Sequence, residues 1–141
     1  MTSHAAVPLL VALAIAATAC AGDEAGDTET GATVAVTQAQ ADRAMGGLCD
    51  IAAGGLTEMA DVHEAFHGRA HETLHAVADE AQEVDPVVTG ALLEAKSVVE
   101  TDLEVATPPP DLPAHAGRLV VAFGNALEVI GLQPAPCAVP G

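Results

Sequence analysis

The sequence has no tryptophan and no tyrosine, only two phenylalanines, and only four Lys and Arg among its 141 residues. Bases and sugar rings would find almost nothing to stack on. Four scattered cations cannot neutralise a phosphate backbone, so nucleic acid is all but excluded as a partner. Against those cations stand 20 Asp and Glu, a formal net charge of -16, and a field of that sign draws cations toward the chain. There is no Gly-rich phosphate loop, no Ser in a nucleophile-elbow motif and no Cys-x-x-Cys pair. Sustained strand alternation between hairpin turns is missing as well. Half of the residues are apolar, enough for one domain whose core must be filled by Ala, Val, Leu and Ile around Phe66 and Phe123.

The apolar run Ala5 to Ala17, interrupted once by Pro8, leads into Thr18, Ala19 and Cys20. It is too short to span a membrane as a stable helix, and Met1 to Ala19 reads as an export signal. The segment Ala17-Thr18-Ala19-Cys20 resembles the lipobox of bacterial lipoproteins, in which small residues precede a cysteine that is diacylated and becomes the mature N-terminus. The resemblance implies processing at Cys20 and an extracytoplasmic protein anchored to the cell membrane by lipid. The alternative is ordinary Ala-x-Ala cleavage after Ala19, which would release a secreted protein. With Cys20 lipidated, the odd number of cysteines, three, resolves into one pair, Cys49 with Cys137. Residues 20–36, rich in Gly, Thr and acid, read as a flexible tether.

From Thr37 the chain divides into four segments of helical period, and residues 37–141 form the domain. Thr37-x-x-Gln40 is a capping-box pattern, opening a first helix along Ala41, Met45, Leu48, Ala52, Leu56 and Met59. Gly46-Gly47 and Gly54-Gly55 either weaken this helix, by roughly 1 kcal/mol each, or permit close approach of a neighbour. Asp61-x-x-Glu64 predicts the cap of a second helix, with Val62, Phe66, Ala70, Leu74, Val77 and Ala81 inward. Asp85-Pro86 opens a third, carrying Ala91, Leu92, Ala95, Val98, Val99 and Leu103, and Pro108-Pro109-Pro110 follows it. Asp111 predicts the cap of a fourth, along Ala116, Leu119, Val120, Phe123, Leu127 and Ile130, closed by Gly131 in the left-handed conformation. Short links favour antiparallel neighbours, so the expected architecture is all-α: a monomeric up-down-up-down four-helix bundle with Leu48, Phe66, Leu92 and Phe123 at its centre. Glu94, Glu100 and Glu104 with Lys96 are expected to form an exposed acidic face on the third helix.

In that arrangement the fourth helix ends beside the start of the first. Cys49 lies about 18 Å up the first helix at roughly 1.5 Å per residue. The six residues after Gly131 reach about 20 Å when extended, so the bridge to Cys137 can close.

Four of the six histidines fall within thirteen residues: His63, His67, His71 and His75, on the second helix. Each step of four advances about 40° around a straight helix, so the ribbon is expected to start at the core edge and wind outward to solvent. Rings four apart can chelate one cation as a pair. Imidazole suits zinc, copper and nickel alike, and His115, near the start of the fourth helix, is a candidate additional ligand. The functional expectation is therefore capture of a divalent transition metal, with zinc or copper foremost. The alternative is a ligand-free structural or protein-interaction module of the cell envelope, with histidine as a boundary residue.

His63-Glu64-Ala65-Phe66-His67 also resembles the His-Glu-x-x-His helix of zinc metallopeptidases, and His71-Glu72-Thr73-Leu74-His75 repeats it. That resemblance implies His63 and His67 as ligands and Glu64 as base on a zinc-bound water. The third ligand would have to come from Asp79, Glu80 or Glu83. Glu64-x-x-His67 and Glu72-x-x-His75 are similar to the repeats of di-iron helix bundles. Both copies sit on one helix about 12 Å apart, too far to share one dimetal centre.

Overall fold

The computed structural model describes residues 35–138. The export signal, Cys20 and the tether up to residue 34 lie outside the described residues. All regular structure among the described residues is helical, with α1 at Gln38–Ala52, α2 at Met59–His63, α3 at His71–Gln82, α4 at Pro86–Asp102 and α5 at Leu112–Val129. A wide π-helical turn over Glu64–Gly68 joins α2 to α3, so the second predicted helix is a bent rod of three pieces. None of the described helices is long and apolar enough to cross a membrane.

Local chemistry explains most of the boundaries. Thr37 caps α1 by a complete capping box: its hydroxyl accepts from the Gln40 amide at 3.3 Å, and Gln40 Oε1 accepts from the Thr37 amide at 2.9 Å. Asp85 accepts from the Val87 and Val88 amides at 3.0 and 3.1 Å, with Pro86 opening α4. Gly131, at φ 82°, takes the left-handed turn that closes α5.

Three boundaries differ from expectation. Gly54 takes φ 72° and ends α1 at Ala52, so Leu56 and Met59 do not continue that helix. The bent rod begins at Met59, behind Glu58, which makes no side-chain cap, and Asp61 lies within its first turn. Asp111 precedes α5 but caps nothing.

Leu48, Phe66, Leu92 and Phe123 are all fully buried, as expected of central residues. α5 packs against both α1 and α4, α3 packs against α4, and α1 packs against the π turn. After α5 the tail runs beside the start of α1, where Gln38 and Gln133 exchange hydrogen bonds at 2.7 and 3.1 Å. Cys49 and Cys137 then meet at disulfide distance, their Cα atoms 5.3 Å apart. The tether's last residue, Val36, is buried, and its amide donates to Glu80 of α3 at 2.6 Å.

The expected acidic face of α4 needs correction. Lys96 is 6% exposed, because it follows Leu92 by four residues and precedes Val99 by three, on the line that faces the core. Its ammonium is held by Glu100 at 2.6 Å, so Glu100, half-buried, leans back over Lys96.

Candidate metal centre

The bent rod is shaped by a repeat of four. Val62, Phe66, Ala70, Leu74 and Ala78 are all buried, and His63, His67, His71 and His75 follow them one residue later. In a straight α-helix each step would rotate both lines by about 40°, carrying the apolar residues off the core. The π turn, with more residues per turn, absorbs that drift, and the backbone bends at Arg69 and Ala70, where φ is -122° and -111°. His63, His67 and His75 are exposed and His71 is half-buried, so the ribbon does not run from the core edge outward. The histidine rings instead form an unbroken ladder, with centroids 5.3 Å apart from His63 to His67, 5.2 Å from His67 to His71 and 4.7 Å from His71 to His75. Phe66 packs against His67 at 5.1 Å and His71 at 5.7 Å, tying the middle of the ladder to the core.

Two arginines clamp the turn to α1. Arg43 donates to the Gly68 carbonyl at 3.2 Å, and Arg69 pairs with Asp50 at 2.6 Å. With Lys96 beneath α3, three of the chain's four cations are therefore engaged around the histidine rod.

Three histidines converge on the last turns of α4. His71 Nε2 lies 3.2 Å from Glu100 Oε1, His115 Nδ1 lies 2.5 Å from Asp102 Oδ2, and His63 Nε2 lies 3.2 Å from the Leu103 carbonyl. These are acceptors at the negative end of a helix, where donors are favoured. His115 is thus held on Asp102.

His67 and His75 hold their protons less tightly than an ordinary histidine. For His67 the causes are partial burial and then the charges of His71 and His63, opposed by Glu100. For His75 they are partial burial, then Lys96 and His71, opposed by Glu100 and Asp79. Both favour the neutral imidazole, the form that carries a lone pair for a metal. At Glu100, burial would raise the carboxyl's pKa, but the hydrogen bonds and charges of Lys96 and His71 outweigh it and the carboxyl is held below its usual range.

No group of three or more His, Cys, Asp and Glu converges on a common point among the described residues. The histidine rings therefore meet as neighbouring pairs, whereas structural zinc takes four ligands and catalytic zinc three protein ligands. His63, Glu64 and His67 line an open depression of about 570 Å³. The Asp79, Glu80 and Glu83 set borders a different hollow, with Val129 and Ile130. The Glu64 carboxylate folds over Gly68, where a Cβ would otherwise project. The carboxylates named as a third ligand thus line a different hollow from the one lined by His63, Glu64 and His67. Comparison with protein families, characterised proteins and solved structures finds no match to this chain.

Sequence reasoning missed Glu100, Lys96, Arg43 and Arg69 as supports of this site. Only Lys96 carried a signal, its place on the apolar line between Leu92 and Val99.

Proposed function

We propose that this chain is an extracytoplasmic, membrane-tethered lipoprotein whose domain is an up-down-up-down four-helix bundle that captures a divalent transition metal through histidine pairs. The pairs are His63 with His67, His67 with His71, and His71 with His75; zinc, copper and nickel are the cations their chemistry suits. The carrying observation is the unbroken ladder, in which His67 has a second imidazole within 5.3 Å on either side. A pair leaves the remaining coordination positions to water, which suits labile, exchangeable capture. The net charge of -16 enriches cations near the surface. The bundle reading is supported by the contacts of α1 and α4 with α5 and of α3 with α4, and lipidation by the lipobox-like segment before Cys20.

Calorimetric titration with zinc, copper and nickel tests the metal reading, run beside a His63→Ala/His67→Ala variant. Saturable binding, lost in the variant, is expected. Binding weaker than about 100 µM, or equal in the variant, would overturn it.

A second reading, a ligand-free structural or interaction module, is favoured by the bonds that tie His63, His71 and His115 to α4. Those bonds engage one nitrogen of each ring and leave the other free, so the two readings part only on metal binding.

A further inference from the structure

A neutral imidazole carries its proton on one nitrogen and its lone pair on the other, and only the lone pair binds a metal. The neighbour that meets one nitrogen therefore determines which atom is the ligand. His71 Nε2 faces Glu100 Oε1 at 3.2 Å, and an ionised carboxylate can only accept, so this nitrogen holds the proton. Glu100 is itself positioned. The ammonium of Lys96, 6% exposed, lies 2.6 Å from the same oxygen; a charge so buried is costly without its partner, which pins the carboxylate against the ring. His63 is set alike, its Nε2 facing the Leu103 carbonyl at 3.2 Å, a group that also can only accept.

We propose that Glu100, braced by Lys96, is a positioning residue that fixes His71 as its Nε2–H tautomer and makes Nδ1 the ligand atom offered to a divalent transition metal shared with His67. The proposal rests on the metal reading above and names how that site is tuned. A carboxylate or carbonyl on the far nitrogen orients a ligating histidine and raises its basicity, and losing such a partner typically lowers metal affinity about 10- to 100-fold. On the other side of His67, the Leu103 carbonyl does the same for His63. The rings flanking His67 thus present the same atom, one fixed by a side chain and the other by backbone.

Long-range proton–nitrogen correlation spectra of the metal-free protein, wild type beside Glu100→Gln and Glu100→Ala, read the tautomer of His71 directly; zinc titration of the same three proteins reads affinity. In wild type the proton is expected on Nε2. Glu100→Gln should keep it there, since Lys96 holds the amide oxygen toward the ring. Glu100→Ala should give mixed tautomers and about 10-fold weaker zinc binding with unchanged helical circular dichroism. A wild-type His71 protonated on Nδ1, or Glu100→Ala with tautomer and affinity both unchanged, would overturn the role given to Glu100. Wild type with the proton on Nε2 but no zinc binding would overturn the metal reading and the ligand role together, leaving only the hydrogen bond.

Discussion

Gly47 of α1 lies so close to the Ala65 carbonyl in the π turn that a Cβ on Gly47 would overlap the oxygen. Its neighbour Gly46 has open space where a side chain would stand. Of the two glycines that interrupt α1, one therefore admits the histidine rod and the other does not. Gly47→Ala should destabilise the fold by about 1 to 3 kcal/mol through overpacking, whereas Gly46→Ala should stabilise it by up to about 1 kcal/mol through helix propensity. Urea unfolding of both variants checks this; equal effects of the same sign would refute the close approach.

The same contact shows what was legible in the residues. Thr37, Asp85 and Gly131 marked their boundaries correctly, and Cys49 and Cys137 meet as chain length allowed. Asp111 misled because capping needs an extended residue. Asp85 has φ -143° and ψ 91°, while Asp111, at -87° and -9°, is already helical and cannot aim its carboxylate at the next turn. The π turn was hidden by assuming a constant rotation per residue, although the shared repeat of four in the apolar and histidine lines contained it. The partners of His63, His71 and His115 come from another helix, and no local pattern encodes them.

The bridge between Cys49 and Cys137 joins residues 88 apart. By the chain-entropy relation its loss should cost about 4 to 5 kcal/mol, a large share of the stability of a small domain. Chemical unfolding of a Cys137→Ser variant should show a correspondingly lower midpoint with helical circular dichroism retained at low denaturant. An unchanged midpoint would mean that the tail contributes nothing to the fold.

Stability should also fall in two stages on acidification. His67 and His75 release their protons more readily when folded than the ordinary value of 6.5 implies. As pH drops through 6.5 toward their lowered values the unfolded chain binds more protons, and folding weakens. Glu100 is shifted below its ordinary 4.5, so its contribution is present above 4.5 and is lost as pH falls through the lowered value. Thermal melts from pH 8 to 3 should show both declines. A midpoint that does not fall between pH 7.5 and 5.5 would contradict the first.

Processing at Cys20 has its own readout. Mass spectrometry of the exported protein should find a mature N-terminus at Cys20 carrying the mass of a diacylglycerol. An unmodified chain beginning at Cys20, or an uncleaved signal, would contradict the lipoprotein reading while leaving the domain's chemistry untouched.

The most direct test of metal capture is zinc titration of the purified protein followed through the imidazole resonances themselves. His67 and at least one ring beside it, His63 or His71, are expected to shift together and saturate, with affinity weakening as pH falls and the rings protonate. Histidine resonances that stay fixed as zinc is raised to about 1 mM, or that shift only with a Kd weaker than about 100 µM, would contradict it.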